Sequence, residues 1–326
     1  MITHRLVTVT AIVAAWMLNL VAPTHAQAWK PERAIEIIVP TAAGGGNDKT
    51  ARVIGKILQD RGIQNVVLNK PGASGATAYH YIIQRKTDAH TVGIAQAGLL
   101  SNQITGRSPF GLADLAIVAN LGFEPSATAV RADSPVKSVA SMFDALRKDP
   151  KSYAISIGST PGGTSHLALS RAVRSLGIDP KLLKTITFNG SAESVTAVLG
   201  GHIDMMTSAI NNIVPHQQSG KMRSLYVTSE QRLTGEFASV PTLKESGIDA
   251  VALGWTAIVA PRGLTPAQIA WWEETLAQVA KHEEWRKYLE FNYWQNVFQG
   301  HTQATGYLKV QYDAMRAGLV DLGLAK

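Results

Sequence analysis

Two glycine-rich turns, each between a strand pattern and a helix pattern, are the segments of this chain best suited to bind a ligand. The first runs from Thr41 to Asp48 and contains three consecutive glycines, and the second runs from Gly158 to His166. Glycine lets backbone N–H groups approach a ligand closely, because no side chain stands in the way. The helix that follows adds unpaired N–H groups and the positive end of its dipole, which favour an anion. Two such turns predict one acidic ligand held from two sides.

The first turn lacks the two common nucleotide-binding signatures. No Gly-Lys-Ser/Thr sequence ends it, as a P-loop would require, and the G-x-G-x-x-G spacing of dinucleotide-binding folds is absent. Asn47 is suited to cap the following helix, and the charge of Asp48 complements the helix dipole. A simple connector would need one glycine, whereas three in a row favour close approach to a ligand. The expected anion is therefore a carboxylate rather than a phosphate.

The second turn admits an enzymatic alternative. Residues 158–162 read Gly-Ser-Thr-Pro-Gly and superficially resemble a nucleophile elbow with Thr160 at its centre. However, Pro161 would remove one N–H group of the oxyanion hole, and the sequence shows no acid–base partner. Binding is favoured over catalysis, and an exported α/β hydrolase with Thr160 or Ser159 as nucleophile is the alternative. The hydroxyl groups of the turn are interpreted as donors to ligand oxygens, namely those of Ser159, Thr160, Thr164 and Ser165. One of these four is expected to cap the helix instead.

The histidines do not form a metal site by their spacing. Nine are present, but no H-E-x-x-H or similar pattern occurs among them. His166 opens a helix beside the second turn, where a structural role and a ligand-binding role are both open. We expect no catalytic residues, no metal and no cofactor.

The chain alternates short β-rich runs with helical patterns, which predicts an α/β fold with largely parallel sheets. In such sheets ligands bind beyond the C-terminal ends of the strands, where both glycine turns lie. Strands are predicted at 35–40, 65–68, 91–95, 115–121, 127–131, 154–157, 185–188, 203–207 and 224–227. Helices are predicted at 48–59, 139–146, 165–176 and 192–199, after the turn at 69–75, and over most of the tail from residue 266.

The strand–turn–helix pattern of 35–59 recurs at 155–176, and no linker separates two consecutive domains. A discontinuous arrangement is therefore predicted. One lobe would combine residues 29–125 with 252–326, and the other would comprise residues 126–251. Two chain crossings between the lobes make a hinge, and a hinge permits closure around a ligand.

The first 28 residues have the features of a secretory signal peptide. Arg5 provides a short basic region, residues 6–22 are apolar, and small residues at Ala26 and Ala28 suit cleavage. The chain has no cysteine, so neither a disulfide nor a lipid on an N-terminal cysteine is expected. An exported protein without such a tether suggests a periplasm behind an outer membrane.

The formal net charge is +7, with lysines and arginines scattered along the chain. An excess of this size suits an acidic small solute or partner. No basic run or nucleic-acid-binding motif is present, so we expect no nucleic-acid partner. We expect a monomer.

A series of short motifs along the mature chain resembles a known family, the extracytoplasmic receptors of tripartite tricarboxylate transporters, called Bug-type or TctC-like proteins. The series covers most of the mature chain in order. Its members are Trp29-Lys30-Pro31, Ile38-Val39-Pro40 with Ala43-Gly44-Gly45 and Asp48, Ala51-Arg52, Asn69 to Gly75, Gly158-Ser159 with Gly162 to Ala168, Leu199 to Asp204, Val227-Thr228-Ser229 with Arg232, and Val240-Pro241-Thr242 with Glu245-Ser246-Gly247.

The resemblance implies a two-lobed Venus-flytrap receptor, type II-like, in which each lobe is a mainly parallel sheet flanked by helices. Such a receptor captures a di- or tricarboxylate or an aromatic acid and passes it transiently to an integral-membrane permease. A sensor that presents its closed form to a signalling partner would have the same architecture. The residues that the resemblance assigns to the ligand are Thr41, Ala42, Ala43 and Asp48 from the first lobe, and Ser159, Thr160, Gly163, Thr164 and Thr207 from the second.

The same resemblance bears on the ligand's chemistry. The segment 206–209 often carries Asp-Asn in the family, and its apolar and hydroxyl character here argues against an amino-acid ligand. Together with Met205 and Met206, it favours a less polar carboxylate.

Overall fold

Nine strands form one mixed sheet in the part of the chain that the structure describes. The structure is a computed structural model that describes residues 29–158 and 160–326, of which 31–326 form one compact unit. The strands are β1 Ile35–Val39, β2 Asn65–Asn69, β3 Thr91–Ala95, β4 Leu115–Arg131, β5 Ala154–Ser156, β6 Lys184–Ile186, β7 Met205–Ala209, β8 Met222–Val227 and β9 Leu253–Pro261. The predicted signal peptide and Ser159 lie outside the described residues.

Helices pack against this sheet and fill the connections between strands. They are α1 Gly46–Asp60, α2 Ala76–Gln84, α3 Ala97–Ile104, α4 Val139–Lys148, α5 Thr164–Ser175, α6 Ser191–Leu199, α7 Val214–Gln218, α8 Pro266–Lys281, α9 Glu283–Phe291 and α10 His301–Asp321. Within 29–158 and 160–326, no helix has the length and apolar character needed to cross a membrane. The predicted helical tail is present as α8 to α10.

The sheet has two halves with matching topology. The strand order is β2-β1-β3-β9-β4-β7-β5-β6, and β8 pairs with β4. At each outer end three strands run parallel, β2-β1-β3 in one half and β6-β5-β7 in the other. The strands between them, β9, β4 and β8, pair in antiparallel fashion. Each half thus repeats one pattern, as the recurring strand–turn–helix sequence predicted.

Strand β4 belongs to both halves. Its register follows β9 as far as the pair Pro125↔Leu253, and it pairs with β7 from Ser126↔Ala209 onward. Two separate strands, 115–121 and 127–131, had been expected here, and the gap between them contains Gly122 and Pro125, residue types that weaken or interrupt strands. The strand continues because Pro125, which has no N–H to donate, lies where the ladder changes partner.

Two hydrophobic clusters fill the two halves. One gathers apolar residues around β1, β3, β9 and the helices α2, α3 and α10, with Trp255 and Leu308 among its buried members. The other lies around β5, β7, β8, α4 and α5, with Phe143 and Tyr226 among its members. The amphipathic helices turn one stripe inward, as Ile54 and Leu58 do at i and i+4 of α1. This packing fixes the first turn of each helix relative to the strand ends.

Candidate functional site

The two glycine-rich turns line one cleft, which lies where the two halves of the sheet meet. The cleft has a volume of about 110 Å³ and is bordered by Thr41, Gly46 and Asn47 of the first turn. From the second turn it receives Gly158, Thr160 and residues 163–165. Ser126 of β4 and Trp255 of β9 also line it. The prediction that both turns face one site is consistent with this placement.

Four helices begin at this cleft, namely α1, α3, α5 and α6. The residues preceding them, Gly45, Gln96, Gly163 and Gly190, make no side-chain capping hydrogen bond. The first N–H groups of an α-helix have no partner within the helix, so those without another acceptor can bind a ligand or water. The Gly46 N–H of α1 already donates to Asn212 Oδ1. The positive ends of four helix dipoles therefore converge on one small volume.

No lysine, arginine or histidine is among the cleft-lining residues of the described chain. The polar part of the described lining consists of backbone groups, hydroxyls, amides and one carboxyl group, that of Glu124, beside a few apolar side chains such as Trp255. The net positive charge of the chain is thus not concentrated at the cleft. Attraction for an anion comes from oriented backbone dipoles, which need no counter-charge to remain buried.

Asp48 organises the first turn. Its Oδ2 accepts a hydrogen bond from the Gly44 N–H at 3.0 Å and from Arg52 Nε at 2.9 Å. Burial raises the pKa of Asp48, but the hydrogen bonds from Arg52 and Gly44 outweigh it and hold the pKa below the usual value. Gly44 adopts φ +81, which an L side chain rarely takes. The carboxylate therefore stabilises the conformation of the turn, although Asp48 itself is not among the residues that line the cleft.

His166 plays the equivalent part in the second turn. Its Nδ1 accepts a hydrogen bond from the Gly162 N–H at 2.8 Å, which requires a neutral ring. Burial lowers the pKa of His166 to about 4. Gly162 has φ +75, and a Cβ there would lie 2.3 Å from Leu319 Cδ2. Because its Nδ1 accepts this hydrogen bond, His166 stabilises the backbone of the turn. Of the two roles left open by the sequence, the structural role is the one observed.

Side chains from the second half of the sheet hold the start of α1. Asn212 Oδ1 accepts from the Gly46 N–H at 3.0 Å and from the Ser191 hydroxyl at 2.7 Å. Its amide donates to Ser208 Oγ at 3.0 Å. A Cβ at Gly46 would lie 2.7 Å from Asn211 Nδ2, so glycine is required for this approach. Elsewhere, the Ser101 hydroxyl donates to the Pro161 carbonyl at 2.5 Å, and the two halves are therefore joined on either side of the cleft.

The residues predicted for the site fall into two groups. Those that line the cleft are Thr41, Thr160, Gly163 and Thr164. Those that are not among its lining residues are Ala42, Ala43, Asp48 and Thr207. Ser159 is not described. Direct ligand contact by any of these residues stays a prediction.

Strand geometry explains the position of Thr207. Successive side chains of a strand point to opposite faces. Ser208 lines the cleft, whereas its neighbour Thr207 is fully buried with 0% exposure.

Thr41 carries a buried hydroxyl without a partner among the described residues.

Two lining residues that the sequence interpretation passed over are Gln96 and Glu124. Gln96 Nε2 donates to Glu124 Oε1 at 2.9 Å and to Thr256 Oγ1 at 3.2 Å. Burial raises the pKa of Glu124 to about 8. One signal was available, because Glu124 is the only acidic residue among the 17 residues of β4. An acid within a mostly apolar strand is expensive to bury and points to a site.

Comparison with known proteins shows the family to which this chain is similar. The family described as "Tripartite tricarboxylate transporter family receptor" matches residues 50–319. A Cupriavidus necator protein described as "UPF0065 protein in gbd 5'region" is 32% identical over 252 residues, which are 75% of this chain and 74% of that protein. A TctC solute-binding protein from Polaromonas is 27% identical with a TM-score of 0.65, and the match covers 89% of this chain and 99% of that chain.

The chain belongs to the tripartite tricarboxylate transporter receptor family. MatC from Rhodopseudomonas palustris, solved with bound malate, has the same fold, with a TM-score of 0.78 at 21% identity over 90% of this chain and 99% of that chain. The predicted fold class, an α/β two-lobed periplasmic binding protein, is confirmed by these likenesses. The family's members are solute-binding receptors and not enzymes, so the hydrolase alternative is not supported.

Proposed function

We propose that this protein captures a small carboxylate solute in the cleft between its two lobes. The observation that carries the proposal is the convergence of four helix N-termini, none capped by the side chain of its preceding residue, on a cleft that no cationic side chain of the described residues lines. One anion at a helix N-terminus gains roughly 0.3–1 kcal/mol, and up to about 2 kcal/mol where it is partly buried. Each hydrogen bond to a charged acceptor adds about 1.5–3 kcal/mol.

A carboxylate suits this cleft better than a phosphate dianion. Recognition of a phosphate through side chains generally uses Arg or Lys, and the lining provides neither. A carboxylate carries one charge and two acceptor oxygens, which fits a few N–H and hydroxyl donors such as those of Thr41 and Thr164. Malate in MatC is such an anion. The likeness to MatC is one of fold, so the ligand class rests on the geometry of the cleft.

We propose that capture couples to closure of the lobes. One proposed lobe comprises residues 29–125 and 252–326, and the other comprises residues 126–251. The change of pairing partner in β4 between Pro125 and Ser126 supports this division. The hydrogen bond from Gly46 N–H to Asn212 links the two proposed lobes beside the cleft. A ligand that contacts helices from both lobes binds the closed form more tightly and so shifts the population toward it.

We further propose that the closed protein delivers its solute to an integral-membrane permease from the periplasm. The family description supports a transporter as the partner. Presentation of the closed form to a signalling protein remains the second candidate, since both roles use the same closure.

A thermal-shift screen tests carboxylate binding. Purified protein is heated with C2–C8 mono-, di- and tricarboxylates, aromatic acids, and the corresponding neutral amides. A ligand at 100 times its Kd stabilises the native state by about 2.7 kcal/mol, which raises Tm by about 4 °C for a folded chain of about 300 residues. We expect a carboxylate to do so and its amide not to. Equal shifts for acid and amide, or no shift with any acid, would contradict the proposal.

A further inference from the structure

Glu124 is a buried carboxyl group that the fold places in the cleft and leaves half-partnered. Glu124 as a whole residue is 3% exposed to solvent. Oε1 accepts from Gln96 Nε2 at 2.9 Å, whereas Oε2 has no hydrogen-bond partner among the described residues. A buried polar atom without a partner costs about 1–3 kcal/mol, so such atoms are rare without a reason. A ligand group at Oε2 would supply that reason.

The backbone reserves space for this side chain. Glu124 of β4 pairs in register with Gly254 of β9. A Cβ at Gly254 would lie 2.9 Å from Glu124 Cγ and 3.2 Å from Oε1, so a larger residue there would displace the carboxyl group. The side-chain amide of Gln96, at the start of α3, donates hydrogen bonds to both Glu124 Oε1 and Thr256 Oγ1. Both contacts orient the carboxyl group within the cleft lining.

A second buried acceptor belongs to a residue that lines the same cleft. Asn211 Oδ1 is buried without a partner among the described residues, and Asn211 lines the cleft. The pKa of Tyr288 of α9 is about 12, raised chiefly by burial and also affected by the Asn211 side chain and the charge of Glu124, so this tyrosine is neutral at pH 7. No cationic side chain is among the cleft-lining residues that the structure describes.

We propose that Glu124 binds an ammonium group of the ligand, so that the solute is an amino-carboxylate whose carboxylate lies at the helix N-termini. This inference rests on the proposed carboxylate-receptor function and narrows it. An ammonium group carries three donors and no acceptor, and it matches Glu124 Oε2 and Asn211 Oδ1 as acceptors. A second carboxylate would bind Glu124 only by accepting the proton of its neutral form, and no cationic side chain among the described cleft-lining residues would assist it. The earlier expectation of a less polar carboxylate considered only segment 206–209 and is replaced by this proposal.

Matched ligands test the proposal by calorimetry at pH 7. The probes are C2–C8 carboxylates, each compared as the amino, hydroxy, unsubstituted and dicarboxylate form, with the substituent at either end of the chain. The wild-type protein should bind one amino form at least about 10-fold more tightly than its unsubstituted counterpart. Glu124→Gln keeps the shape of the side chain and an acceptor for Gln96. It should weaken binding of the amino form by at least about 30-fold and of the unsubstituted acid by less than about 3-fold.

The control variant is Glu230→Gln, which makes the same substitution at an exposed position. It should leave all affinities unchanged. Binding of the amino form should also release up to about 0.9 proton at pH 7, because a carboxyl group of pKa about 8 is mostly protonated before it meets an ammonium group. This release is measured in wild-type protein from the dependence of the binding enthalpy on the buffer, and it does not depend on a variant folding.

The possible failures are distinguishable. Tight binding of unsubstituted acids or dicarboxylates without preference for the amino form, or without proton release, overturns the role of Glu124 and leaves the carboxylate receptor intact. An amino preference that Glu124→Gln retains also overturns it. Binding of none of these acids by the wild-type protein overturns the proposed function and this inference together.

Discussion

Removal of one backbone N–H at the start of α5 gives a direct test of recognition by helix N-termini. Thr164 is the first residue of α5 and follows Gly163, whose φ −67 and ψ 169 are extended. Proline fits the first position of a helix and accepts an extended residue before it, but it has no N–H. Thr164→Pro should therefore fold while removing one donor from the cleft.

The loss can be estimated from the chemistry of the contact. A hydrogen bond to a charged acceptor contributes about 1.5–3 kcal/mol, which corresponds to a roughly 10- to 150-fold rise in Kd. Thr164→Val removes only the hydroxyl, so the difference between the Pro and Val variants isolates the N–H. Glu283→Pro is the matched control. Glu283 is the first residue of α9, its side chain is 79% exposed, and the preceding His282 is extended with φ −67 and ψ 141.

Calorimetry with the tightest carboxylate from the thermal screen would measure all four proteins, and circular dichroism would verify folding. We expect Thr164→Pro to bind more weakly than Thr164→Val, and Glu283→Pro to bind as wild type does. Equal affinities for the Pro and Val variants would refute the reasoning that the α5 terminus holds the carboxylate.

Further predictions concern the groups that shape the cleft. Asp48→Ala should weaken carboxylate binding several-fold in calorimetry by loosening the Gly44 turn, whereas Asp48→Asn, which retains an acceptor, should weaken it less. Gly162→Ala should lower the free energy of unfolding in urea by about 2–4 kcal/mol, because it combines φ +75 with a clash against Leu319. His166, with a folded pKa of about 4 below its ordinary value of 6.5, contributes stability that is present above pH 6.5 and lost as the pH falls toward 4; His166→Gln should flatten this acid limb in urea titrations. Glu124 has the opposite sign, since its folded pKa of about 8 exceeds 4.5, so its contribution is present below pH 4.5 and up to about 5 kcal/mol is lost as the pH rises to 8; a Glu124→Gln variant with the same alkaline limb would contradict this.

Much of the architecture could be predicted from local patterns, and what was missed has identifiable causes. The glycine turns and the strands before them were visible because Gly44 and Gly162 stand between a buried strand and an amphipathic helix. Strand β9 was missed because nearly all of its residues are buried, so it shows no alternation of polar and apolar positions. Helix α3 was missed because it has eight residues and no side-chain cap at Gln96.

The functional side chains were harder to predict than the fold because long-range pairing brings them to the cleft. Gln96 lies in the unpredicted start of α3, and Glu124 lies in the segment that had been interpreted as a break between two strands. Only the pairing of β4 with β9 shows that Glu124 stands opposite Gly254 and reaches the cleft. Ser208 rather than Thr207 lines the cleft for a related reason, since the face that each residue presents depends on register.

The cleft separates two kinds of recognition that can change independently. The N–H groups of α1, α3, α5 and α6 belong to the backbone, so their affinity for an anion persists through side-chain substitution. The proposed partner for the rest of the solute is the side chain of Glu124 on β4, which Gln96 holds and Gly254 accommodates. A substitution at Glu124 should therefore alter which carboxylate is selected without disturbing how a carboxylate is held. If Glu124→Gln changes the order of preference among matched acids while the carboxylate remains required, this division of roles is correct; a loss of all binding would show that the two ends are not separable.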